Sequence, residues 1–269
     1  NGPPSMNGTL PIFQIDAFTD RVFGGNPAAV CPLDEWLDDA VMQDAAAENN
    51  LSETALFVPR AEPGDYDLRW FTPATEVDLC GHATLASAYL ILSRLAPDLD
   101  AVRFSTLSGI LEVSRDGDRL AMDFPARPPD AYDPAPGLIE ALGAEPEAMG
   151  ASQRDVMAVY GDEATVLGLA PDISALAGID RQGIIVTAPG DACDFVSRFF
   201  APALGVDEDP VTGSAHSTLV PYWAERLGKT ELHARQVSTR GGELICRAMG
   251  ERVSIAGRAR LYMEGTIIL

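Results

Sequence analysis

Basic residues are scarce in this chain: 19 Lys and Arg stand against 40 Asp and Glu over 269 residues, a net charge of −21. A surface of that sign repels nucleic acid and anionic membranes, so neither is expected as a partner. Histidine is rarer still, with three residues, and the four cysteines (Cys31, Cys80, Cys193, Cys246) make neither a Cys-x-x-Cys pair nor a zinc-like spacing with histidine. No metal site is therefore expected. A secretory apolar segment and long apolar runs are also lacking, which points to a soluble protein of a reducing, cytoplasmic compartment. Missing too are a G-x-S-x-G elbow, a G-x-x-x-x-G-K-[ST] loop and a G-x-G-x-x-G turn after a strand, so hydrolase, nucleotide-phosphate and dinucleotide readings lose their usual support.

What the chain does have is an internal repeat. RWFTPATEVD from Arg69 and RFFAPALGVD from Arg198 agree at six of ten positions with an offset of 129 residues, close to half the length. Two similar halves follow, not a many-unit solenoid. The Pro- and Asp-rich stretch 125–136 reads as a linker between an N-terminal lobe, 6–124, and a C-terminal lobe, 137–263. A final strand at 264–269 could return to the first sheet. Asn1–Ser5, ahead of Met6, reads as a cloning remnant and is left out of the fold reading.

Short β-rich runs bounded by Gly, Pro and Asp dominate, among them PIFQIDAF, TALFVP, DLRWF, EATVLGL, GIIVTA and DFVSRFF. Helices are predicted at Asp34–Glu48, His82–Leu95, Leu138–Leu142 and Ser214–Leu227. His82–Leu95 is apolar nearly all round, the mark of a helix enclosed by sheet. Pro221 inside its counterpart should kink that helix or shift its start.

Each copy of the repeat runs into a glycine turn that opens one of these helices, Cys80–Gly81–His82 and Thr212–Gly213–Ser214. The first N–H groups of a helix lack partners within it and carry partial positive charge, so two such turns facing each other across a cleft would bind a small acid. A glycine needed only for a tight turn is the rival reading.

IDAFTDRVFGGNPAAV, NLSETALFV from Asn50, FTPATEVDLCGHATLA from Phe71 and RFFAPALGVDEDPVTGSAH from Arg198 together resemble the phenazine biosynthesis PhzF-like family, over essentially the whole chain and in order. The resemblance implies an α+β fold of two pseudo-symmetric lobes, each a curved mixed sheet wrapped around a central helix as in diaminopimelate epimerase. It also implies an active site between the lobes, a small acidic metabolite as substrate, no cofactor, and commonly a homodimer. It makes Glu53 the acid/base glutamate, His82 the histidine of the Gly-His turn and Asp209 the aspartate of the opposite lobe. Gly81, Gly213, Ser214 and Asn26 would line the substrate position.

Each of these residues has a plainer alternative. Glu53 could cap or salt-bridge the preceding helix, His82 could be a satisfied core histidine, Asp209 a helix cap and Asn26 a turn residue. Beside a helix N-terminus His82 is expected to stay neutral. Epimerases of this fold use one thiol from each half; here Cys80 holds the first place and Thr212 the second, and a threonine hydroxyl cannot stand in for a thiolate at neutral pH. A single carboxylate can instead move a proton between two carbons on one face. The expectation is thus an isomerase of the proton-shift type, with a ligand-binding protein on the same scaffold, or an epimerase using Cys80, as alternatives.

Overall fold

The computed structural model describes residues 8–269, so Asn1–Ser5 and the proposed start of the first lobe at residue 6 lie outside it. Its eighteen strands form one continuous hydrogen-bonded network among the described residues. The two halves share one strand grammar. Asn26–Pro32 pairs parallel with Glu53–Pro59, which pairs antiparallel with Asp65–Phe71; in the second half Asp155–Val159, Gly183–Pro189 and Phe195–Ala201 repeat that pattern.

The repeated segment folds alike in both. Arg69 donates from Nε to Glu76 at 2.7 Å while its guanidinium lies 5.1 Å from the centre of the Phe71 ring. Arg198 does the same with Glu208 at 2.7 Å and Phe200 at 5.0 Å. In each case a charged clamp pins the chain just before the glycine turn.

Each lobe encloses a helix. Gly81–Leu90 is buried at every position but Tyr89, as the all-round apolar pattern required, and its C-terminal turn Ile91–Leu95 widens into a π-helix. The counterpart is His216–Leu227. Its first turn winds with i→i+3 bonds, His216 N to Gly213 O at 3.0 Å and Ser217 N to Ser214 O at 3.1 Å, which moves the helix start past Ser214. Pro221 sits inside. Having no N–H, it leaves the Ser217 carbonyl without its helical donor, and the Arg127 backbone N–H fills that role at 2.8 Å. Trp223, fully buried, stacks on Phe195 with ring centres 5.7 Å apart and donates from its indole to Thr187. One apolar core takes in both central helices.

The halves are stitched at two seams. Arg119–Pro125 pairs antiparallel with Arg252–Gly257. The last strand runs Ala259–Ile268, longer than the predicted 264–269, and pairs along Thr9–Ala17 in the first half. Within 125–136, Asp130–Ala131 pairs with Gly150 and Ala151, so that part of the predicted linker is fastened to the second half. The run EATVLGL is helix, not strand: Asp162 accepts from Thr165 N at 2.7 Å and caps Glu163–Gly168. The first helix is shorter than predicted, Asp39–Asn49.

Candidate active site between the glycine turns

The two glycine turns meet. A Cβ placed on Gly81 would lie 3.5 Å from the Gly213 Cα and 3.8 Å from the Ser214 nitrogen, so the two turns are in van der Waals contact. The N–H groups of Gly81, His82, Gly213 and Ser214 have no acceptor among the described residues. They form a small fan of donors, drawn from both halves, suited to an anion.

Glu53 reaches this point because Asn50 ends the preceding helix in a left-handed conformation, φ 51°, with its N–H on the Ala46 carbonyl at 3.2 Å. The chain then turns and Glu53 opens the next strand, beside Ala28. Its Oε2 lies 3.1 Å from His82 Nε2, and neither atom has another partner. His82, on the second residue of its helix, turns Nδ1 toward Cys80 Sγ at 3.5 Å and Asn26 Nδ2 at 3.2 Å.

Asn26 is fully buried and joins the halves, its amide donating to Asp209 Oδ1 at 2.8 Å and to the Val211 carbonyl at 2.9 Å. Its Oδ1 has no hydrogen-bond partner. Asp209 Oδ2 accepts from the Thr212 hydroxyl. Glu53, His82, Asn26 and Asp209 thus form one group, next to Gly81, Gly213 and Ser214.

The electrostatics differ from expectation at His82. Burial alone would favour the neutral ring, but the negative charge available at Cys80 and Glu53 overrides it and raises the pKa well above the ordinary value. Burial, with the Glu53 charge adding to it, pushes the Cys80 thiol up to about 11. At His82 the paired partners Cys80 and Glu53 thus outweigh both burial and the helix terminus, and the ring favours its proton more than a free imidazole does. Asp209 is pushed up to about 6, mainly by burial, against the pull of His82.

Two supports gave no signal in the sequence. Gln236, 1% exposed, spends both ends of its amide on the Asp209–Thr212 turn: Oε1 accepts from Thr212 N at 2.8 Å, and Nε2 donates to the Asp209 carbonyl at 2.7 Å. Arg240 grips the loop before Asn26, donating to the carbonyls of Gly24 and Gly25 and to the buried Asp16, each at 2.8 Å. Phe18, fully buried with φ 61°, sets its ring 3.5 Å from the Cβ position of Gly213. A left-handed phenylalanine is strained, and the contacts around it hold that strain.

Glu53, Cys80 and His82 bring one donor atom each to within 4.8 Å of one another. A soft divalent metal could in principle use them, but both His82 nitrogens already face partners of this set and Cys80 would have to lose a tightly held proton. A hollow of about 360 Å³ lined by Glu62, Gly64, Asp65, Arg103 and Glu112 contains none of these residues.

The chain is similar to known proteins along almost its whole length. The family model for phenazine biosynthesis-like proteins, PhzC-PhzF, matches residues 15–265. An uncharacterized isomerase of Pseudomonas aeruginosa is 56% identical, over 97% of this chain and 99% of its own. The crystal structure of a PhzF-family protein from Enterococcus faecalis superposes with a TM-score of 0.93 at 46% identity, covering 97% of this chain and 100% of that one. A hydroxyproline epimerase from Agrobacterium vitis, at 11% identity and a TM-score of 0.61 over 96% of this chain and 91% of its own, shares the fold alone. The architecture is accordingly α+β and diaminopimelate epimerase-like, and the chain belongs to the phenazine biosynthesis-like family.

Proposed function

We propose that the protein is a cofactor-independent isomerase that shifts a proton within a small carboxylic acid. The observation that carries this reading is the placement of one carboxylate, Glu53, against the His82 cation and beside a fan of free N–H groups contributed by both halves. The N–H groups of Gly81, Gly213 and Ser214 hold the substrate carboxylate. Glu53 removes a proton from the neighbouring carbon and returns it to another on the same face. His82, held positive, stabilises the charge that develops on the substrate as the proton leaves, and Asp209 accepts a hydrogen bond from its hydroxyl or amino group.

A two-thiol epimerase is disfavoured. The position facing Cys80 is Thr212, whose hydroxyl is committed to Asp209. Loss of activity in a Cys80→Ser variant would restore that alternative.

The test is isotopic. In deuterated water the enzyme should wash deuterium into one carbon of its substrate, screened by NMR across small unsaturated and cyclic acids. Glu53→Gln keeps the shape and removes the titrating group, and should slow exchange by roughly a thousandfold. Exchange at near-normal rate in that variant would remove the mechanism, and a ligand bound without any exchange would make this a binding protein.

A second copy of the chain belongs to the same proposal. Strand Ala259–Ile268 has one edge without a strand partner among the described residues, and exposed Tyr262 packs edge-on against exposed Phe23. Sedimentation should give a dimer that Tyr262→Asp weakens; a wild-type monomer at micromolar concentration contradicts it.

A further inference from the structure

With cations so few, most arginine head groups near the centre of the molecule are committed to a carboxylate, as Arg69, Arg198 and Arg240 are. Arg127 is not. Its guanidinium forms no hydrogen bond or ion pair among the described residues, although it is half-buried and stands in the field of a second cation, Arg154. Arg154 is only partly engaged: Nε donates to Gln182 at 2.6 Å, and its outer nitrogen lies 4.0 Å from Asp78. Between them is one buried carboxyl, Asp155, set against Phe199 where Gly183 leaves room; a Cβ on Gly183 would sit 2.7 Å from Asp155 Oδ1. Burial outweighs both arginines there and raises Asp155 to about 6, so near neutral pH it offers at most one negative charge to two guanidiniums.

These groups are tied to the elements that carry the two glycine turns. The Arg127 backbone is fixed by the carbonyl that Pro221 frees in the first turn after Ser214. Phe124, three residues earlier, places its ring 3.5 Å from the Cβ position of Gly81. Asp78 precedes Cys80 by two residues, and Phe199 pairs with Asp209 across the sheet. One unpaired guanidinium and a second only partly engaged, on elements that carry the glycine turns of so acidic a protein, make a recognition element for an anion.

We propose that Arg127 and Arg154 form a second anion-binding position, so that the acid worked on by Glu53 carries two anionic groups, one on the glycine turns and one on these guanidiniums. This rests on the isomerase reading above. The substrate class is then a dicarboxylic acid or its equivalent, spanning the cleft from Gly81 and Gly213 to Arg127.

The experiment compares glutarate with valerate, which has the same five-carbon chain and a single carboxylate, as ligands of the full chain, followed through the amide resonances of Gly81 and Gly213. Glutarate should bind roughly tenfold more tightly, and its advantage should shrink as salt is raised. Arg127→Gln and Arg154→Gln should each bring glutarate close to valerate and leave valerate unchanged. Arg247→Gln, which removes an exposed cation paired with Glu231, should alter neither. Equal affinities in the unaltered protein, or arginine variants that weaken both acids alike, overturn the second position. Valerate that fails to move Gly81 and Gly213 refutes the carboxylate cradle itself, and this proposal with it.

Discussion

Asp209 keeps its carboxyl near 6 because enclosure penalises the anion more than His82, Thr212 and Asn26 favour it. An acid whose folded pKa lies above its ordinary value of 3.8 contributes stability below that value and loses it as pH rises through about 6. Asp155 acts in the same direction. His216, fully buried with Nδ1 on the Thr212 carbonyl, is depressed to about 4 and acts the opposite way, losing its contribution as pH falls below 6.5. Asp209→Asn should therefore raise the free energy of unfolding at neutral pH, by on the order of 1–3 kcal/mol, while abolishing turnover. Thermal unfolding against pH checks both: the variant should lose part of the decline between pH 3.8 and about 6. A variant less stable than the parent at neutral pH would show that the ionised carboxylate holds the site together. The residues proposed to react stand out in the sequence because their segments resemble the family. Those that hold them were not: Arg240 meets Asp16 across 224 positions, and Gln236 meets mostly the backbone of a turn 24 positions away, so no local pattern marks either.

In the C-terminal central helix, Pro221 is usually read as damage to an element, yet here it frees an acceptor that fastens the chain between the lobes. Pro221→Ala should let residue 221 donate to the Ser217 carbonyl in competition with Arg127. The net worth of such a bond is about 1 kcal/mol, and hydrogen exchange at the Arg127 amide should quicken several-fold while the helix itself gains protection. Unchanged exchange at Arg127 would mean that the carbonyl serves both donors and the proline has no such role. Helix prediction succeeded for Gly81–Leu90 because burial on every side writes itself into composition. It failed for Glu163–Gly168, where Thr165 and Val166 favour a strand and the short helix is marked only by its Asp162 cap.

Both halves share one hydrogen-bonded network and one apolar core, and the last strand lies beside the first. Unfolding should therefore be a single transition in calorimetry, with calorimetric and van't Hoff enthalpies equal, despite the two-lobed shape. Two separable transitions would show that the lobes are thermodynamically independent. Removing residues 259–269 strips the pairing from Thr9–Ala17 and should prevent cooperative folding altogether, checked by the loss of a thermal transition in the truncated chain. The repeat announces two halves and the terminal EGTIIL run the return of the last strand to the first sheet; the seam of Arg119–Pro125 with Arg252–Gly257 has no such mark, because partners so far apart leave no spacing to read. Phe18 shows how far that mutual dependence goes. Its side chain belongs to the first half, yet it occupies the space that a side chain would need at Gly257 and packs against Gly213, and its carbonyl closes on Gly242, all three in the second half. A chimera assembled from two relatives with the crossover anywhere between positions 18 and 213 thus inherits plug and socket from different parents, and succeeds only where both kept the same four residues.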